Sequence, residues 1–218
     1  MGENKMTEQE SLQLIQQMIN KAKNSYHEKG IGTMLWGSVI TICSLVTFLR
    51  LEYDFRLPFD IWWLTLIAII PQLFISAKEK KERKIRSYND DAMDYVWLCF
   101  GISIFLLIHI NSNVLLKLNP VFSDYRSLGG NAEDFNYYSY TSSMMLLLYG
   151  MPTIITGAIM KFKPMLWGGI LCWVCCVITV YTNVKIDYLL TALSASCAWL
   201  IPGIILWRRY KKGKHCNV

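Results

Sequence analysis

Six apolar stretches, each about the length a helix needs to cross a bilayer, dominate this chain. They run over residues 30–49, 59–75, 93–110, 140–160, 164–181 and 186–207, with more polar segments between them, the longest being 111–139. Each crossing consumes roughly 20 mostly apolar residues, so six of them take more than half of the 218 residues. No large soluble domain fits beside them, and the expected fold class is an all-α polytopic bundle.

The charges order this bundle. Lys5, Lys21, Lys23 and Lys29 precede the first span, and six cations from Lys78 to Arg86 follow the second. Lys161 and Lys163 lie between the fourth and fifth, and Arg208, Arg209, Lys211, Lys212 and Lys214 close the chain. These seventeen fall on one side, against Arg50, Arg56, Lys117, Arg126 and Lys185 on the other. By the positive-inside rule both termini are expected in the cytoplasm. The formal charge of +6 is thereby accounted for without nucleic acid as a partner. The first apolar span begins some thirty residues into the chain, too late for a cleaved secretory signal, so it is expected to stay as an anchor.

Residues 1–29 are expected to form a cytoplasmic amphipathic helix. Leu12, Ile15, Ile19, Ala22 and Tyr26 recur every three or four residues, and Thr7 with Glu10 has capping-box spacing. Such a helix lies on the inner leaflet, packs beneath the bundle or docks a partner. Lys78 to Arg86 mixes cations with Glu79 and Glu82 and reads as a solvated continuation of the second span, able to attract anionic head groups. The long segment 111–139, with Gly129, Gly130, Tyr137 and Tyr138, is expected as an outer loop, either binding a ligand or neighbour or serving as a flexible link with an aromatic belt. Residues 208–218 form a basic tail.

A weak repeat runs through the spans. Met34, Leu35, Trp36 and Gly37 open the first, and Met165, Leu166, Trp167 and Gly168 open the fifth, 131 positions later. The same offset carries Ile70 and Pro71 onto Ile201 and Pro202, and Lys78, Lys80 and Lys81 onto Arg209, Lys211 and Lys212. Trp97 and Pro152 repeat the plan loosely in the middle pair. Three parallel helical hairpins are expected. Pro71, Pro152 and Pro202 each remove a backbone donor in a returning span and are expected to kink it. Gln72, Thr153 and Thr156 lie near these breaks, where freed carbonyls need partners. With His109 they are the candidate ligand-binding residues, and the prolines would mark either a polar vestibule or plain kinked packing.

Catalytic chemistry finds little support. Cys172 and Cys175 form a C-x-x-C within the fifth span, similar to the intramembrane redox motif of vitamin K epoxide reductases, but the second cysteine pair that those enzymes carry in an outer loop is missing. All seven cysteines fall in spans or the tail, so no disulfide framework is expected. His109 is the only histidine in a span, too few for a zinc site. Asp60, Asp94 and Asp187 stand at span ends, where water is expected to reach them; without an intramembrane carboxylate, ion-coupled transport is disfavoured. No nucleotide-binding or metalloprotease motif is present. No catalytic, cofactor or metal residue is assigned.

Leu148, Tyr149, Gly150 and Met151 with Thr153, Thr156 and Gly157, running into Lys161, Phe162, Lys163 and Pro164, resemble a family of uncharacterised six-span membrane proteins of Bacteroidota. Trp36 and Gly37 after a glutamine-rich N-terminal segment, and Ile201, Pro202 and Gly203 near the end, fit the same pattern. The resemblance implies a bacterial inner membrane and a six-helix fold, and no activity. The expected function is non-enzymatic: a sensor or accessory subunit that binds a protein partner, a second copy or a small or lipidic ligand, with membrane lipids around it. A non-ion-coupled facilitator is the alternative, and an intramembrane thiol oxidoreductase the remote one.

Overall fold

The computed structural model describes residues 30–82, 88–130 and 137–215, together with 9 and 12–13. Among them the chain is all helical: α1 (Ile31–Tyr53), α2 (Trp63–Glu82), α3 (Tyr88–Ser127), α4 (Tyr137–Ile159), α5 (Lys163–Thr179) and α6 (Val184–Ala195). α6 passes through one π-helical stretch, Ser196–Leu200, into α7 (Ile201–His215), making one continuous rod. Among the described residues four helices are long and apolar enough to cross a membrane: Ile31–Tyr53, Asp91–Ser127, Tyr140–Ile159 and Val184–Lys212. α5 is apolar but shorter, at 17 residues, and α2 turns charged in its last turns.

Neighbouring rods run antiparallel. Cys43 on α1 reaches the Ile61 carbonyl before α2, and Gly32, one helix length away, meets Gln72. Leu147 and Trp173, and then Gly157 and Leu166, bring α4 against α5. Glu52 pairs with Lys185 at 3.1 Å while Gly30 touches Gly203, so α1 follows the last rod from end to end. α1, α4, α5 and α6–α7 form the packed centre. α2 leans on α1, and α3 leans on α4 and on the π-helical stretch. Most bulky apolar side chains on α2 and α3 face outward, among them Phe74, Phe105 and Leu116, as expected where lipid replaces water. We call the end holding Lys80, Lys163 and Arg208 the basic end and the other the far end.

The segment expected as an outer loop over 111–139 is largely helix. α3 continues unbroken to Ser127 through Pro120, extending about 26 Å beyond residue 110 at 1.5 Å per residue. The reason lies in its spacing: Val114, Leu115, Leu118, Phe122 and Tyr125 fall on one half-buried stripe. Gly129 and Gly130 are the stop signal. Gly129 adopts φ 86°, its N–H bonds the Arg126 carbonyl, and the Gly130 N–H bonds that of Tyr125, which is a Schellman cap. The same cap ends α4, but there Lys161 occupies the left-handed position at φ 51°. Replacing Lys161 by glycine is expected to raise stability by about 1 kcal/mol in thermal unfolding.

The amphipathic helix expected over 1–29 lies outside the described residues, apart from Gln9, Leu12 and Gln13. The basic segment after 207 continues as helix to His215.

Candidate functional site

The repeated glycines find their purpose at the last rod. A Cβ on Gly37 of α1 would fall on Leu200 N and 2.8 Å from Leu200 Cα. One on Gly168 of α5 would stand 2.5 Å from Ala198 Cα and 2.7 Å from the Cys197 carbonyl. The two motif glycines therefore clamp the π-helical stretch 196–200 from opposite sides. Its wider turn has a local cause in Pro202, whose ring cannot donate to, and crowds, the carbonyl four residues back. The Ile201 N–H bonds the Ser196 carbonyl, five residues back.

The bulge directs Trp199 into the core. Its indole N–H donates to Thr153 Oγ1 at 2.8 Å, and Thr153 in turn donates to the Tyr149 carbonyl at 2.6 Å. Tyr149, Phe100 and Trp97 surround the indole with ring centroids 4.8, 6.1 and 6.3 Å away. Half of the ring cluster thus comes from α3, which is otherwise little buried.

A polar seam leads from this point to the far end along α6. Thr41 and Ser196 hydroxyls meet at 3.0 Å, and Ser44 and Thr47 continue the stripe on α1. Cys172, Cys175 and Thr179 line α5, and Ser194, Thr191 and Asp187 line α6, all buried. The Ser44 hydroxyl is fully buried with no hydrogen-bond partner among the described residues. Ser143 on α4 meets Thr179 at 2.9 Å. Asp187 is 0% exposed and accepts a hydrogen bond from Thr182 Oγ1 at 2.6 Å. This corrects the expectation that water reaches all three span-end carboxylates: the α5–α6 turn folds Thr182 over Asp187, a contact that span boundaries do not reveal.

The seam offers a graded test. Thr179→Val is expected to lower stability by about 1 kcal/mol, the scale of an interhelical hydroxyl bond in a membrane. Lys185→Ala, which breaks only a half-exposed pair with Glu52, is expected to shift it by no more than about 0.5 kcal/mol. Thermal unfolding in detergent reads both, and equal shifts would contradict the importance given to the seam.

The candidate ligand residues do not converge. Thr153 and Thr156 share a buried face of α4, where Thr153 serves Trp199 and the Thr156 hydroxyl has no hydrogen-bond partner among the described residues. Gln72 stands apart on α2, half-buried, with Nε2 on Ser76 Oγ and Oε1 buried against Gly32. His109 is on the exposed face of α3, 3.2 Å from Asn113. The prolines divide too: Pro152 and Pro202 are buried, whereas Pro71 faces outward. Cys172 and Cys175 pack in the core at 0% and 2% exposure. No group of three or more metal-ligating side chains occurs among the described residues.

Sequence reasoning missed Trp199, Ser44 and Asp187 as members of one interior. The usable signal was the period of small and polar residues, Gly37, Thr41, Ser44 against Gly168, Cys172, Cys175, which share the 131-residue offset. Together fold and seam define a helical protein with several candidate membrane spans. Comparison with protein-family models, curated proteins and solved structures found no match.

Proposed function

We propose that this chain is a non-enzymatic inner-membrane protein of bacteria, with six spans and both termini cytoplasmic, that serves as an accessory subunit holding a protein partner at the far, outer side. The carrying observation is the extension of α3. A rigid helix reaches well past its apolar span and still displays Leu116 at 69% and Val121 at 58% exposure, with Leu128 at 86% in the turn after it. Apolar side chains outside the hydrocarbon depth favour a protein surface as their cover. The six rods read as three hairpins, α1–α2, α3–α4 and α5–α6, a plan supported by the matching places of Gly37 and Gly168. The inner-membrane location is what the resemblance to the Bacteroidota proteins implies.

A photo-crosslinking residue at Leu116 or Val121, introduced into the full chain in native membranes, is expected to trap a distinct second polypeptide. The same residue at Phe74, on the outward face of α2, is expected to trap none. Adducts containing only this chain would replace a foreign partner with a homo-oligomer, and the absence of any adduct at the extension would overturn the reading.

Asp187 favours a second reading, a small ion-coupled transporter, because a carboxylate buried within a spanning rod is a common coupling element. In that case sodium or protons would stabilise the protein by binding. The melting temperature of the native chain would then depend on sodium or pH, and Asp187→Asn would abolish the dependence. Identical profiles for both proteins would dismiss transport of this kind.

A further inference from the structure

At the basic end, α7 leaves the apolar span and exposes Arg208, Arg209, Lys211 and Lys212 within two turns. With Ile205 these side chains line a shallow, largely open recess along one helix, with no carboxylate among its described lining residues. Two of the cations rest on aromatic rings. The Arg209 guanidinium lies 5.2 Å above the ring of Phe162, and Lys211 Nζ lies 3.9 Å from that of Trp207. Phe162 is only 4% exposed and belongs to the tight α4–α5 turn, between exposed Lys161 and Lys163. The stacking therefore ties the end of α7 to a second basic segment and restricts Arg209 before any ligand arrives.

Depth defines the ligand. The recess runs from Ile205, in the last apolar stretch, to Lys212, in the basic segment that follows it, which is where a helix that spans the bilayer would pass from hydrocarbon to head groups. Trp207 and Phe162 are of the type that settles at head-group level. A planar guanidinium held by a ring presents its N–H fork to a phosphate in two-point contact, which a freely moving ammonium does not. An apolar side chain, Ile205, beside cations that meet no carboxylate among the described lining residues suits a molecule with both an acyl chain and a phosphate. We propose that this recess is a binding site for the phosphodiester head group of an anionic phospholipid, with Arg209 as its orienting contact and Arg208, Lys211 and Lys212 completing the charge. The site lies at the opposite end from the α3 extension and is independent of the partner reading.

The test separates a built site from charge alone. The full chain is placed in nanodiscs of mixed phosphatidylglycerol and phosphatidylcholine, and lipid retained on release is measured by native mass spectrometry. The native protein is expected to retain phosphatidylglycerol preferentially. Arg209→Lys, which keeps the charge but loses the planar two-point fork, is expected to retain roughly tenfold less. Lys78→Ala with Lys81→Ala, which removes two cations from α2, is expected to change retention less than about twofold. The proposal is overturned if phosphatidylcholine is retained equally, or if Arg209→Lys behaves as the native protein, since charge alone then explains binding. Displacement of the lipid by inorganic phosphate would also overturn it, making the recess a site for the free anion. A matched unfolding curve for Arg209→Lys shows that the loss is local.

Discussion

Gly37→Ala and Gly168→Ala are each expected to lower stability by about 3 kcal/mol, the upper range for forcing atoms into a packed interior. Most overpacking is relieved by a side chain moving aside. Here the atoms met are backbone: Leu200 N and Cα on one side, Ala198 Cα and the Cys197 carbonyl on the other. Relief would require α1 or α5 to back away from the last rod along its length, separating Thr41 from Ser196 as well. Gly101→Ala is the control, because a Cβ there meets nothing within 4 Å among the described residues. It is expected to be neutral or stabilising by about 0.5–1 kcal/mol, since alanine is the better helix former. Unfolding of the three variants in one detergent measures the difference. Similar curves for Gly37→Ala and Gly101→Ala would refute the clamp.

Trp199→Ala is expected to be the most disruptive single truncation, at about 3–5 kcal/mol. The indole is 3% exposed and fills the space among Tyr149, Phe100 and Trp97. Its removal leaves a cavity that three rings on two other helices cannot all enter. The contrast with Trp199→Phe isolates the hydrogen bond. Phenylalanine retains most of the volume and loses the N–H to Thr153, yet Thr153 still donates to the Tyr149 carbonyl. Only an acceptor position on a hydroxyl goes unfilled, so a loss of about 1 kcal/mol is expected. If Phe is as damaging as Ala, the bond outweighs the packing and this account of the core is wrong. Because α3 meets the centre through Trp97 and Phe100, loss of Trp199 is also expected to increase protease sensitivity of α3.

The helices were legible because lipid permits few backbones. An apolar run near bilayer length must close its own hydrogen bonds, so length and hydropathy locate a rod without knowledge of its neighbours. The α3 extension escaped the same reading because its signal is a stripe every three or four residues in a mostly polar segment, with Gly129 and Gly130 as the stop. Met-Leu-Trp-Gly was visible as a repeat, but as a composition match it said nothing of what the glycines touch. Pro71 and Pro202 match in sequence and differ in the fold, one facing outward and one buried beside the bulge.

The sequence by itself determined that the chain is helical with several candidate membrane spans and that its cations cluster between alternate apolar stretches, since both follow from local transfer energies and charge. Only the tertiary structure decided which polar groups are hidden. Asp187 and Asp94 are alike on paper, at the ends of apolar runs. One is sealed under Thr182 and the other lies half-exposed near Lys80, 3.8 Å away. That distinction depends on how turns fold back and which rods touch, quantities set by packing between residues far apart in the chain. For the same reason Thr153, suggested by its proximity to a proline, became the acceptor for a tryptophan 46 positions away.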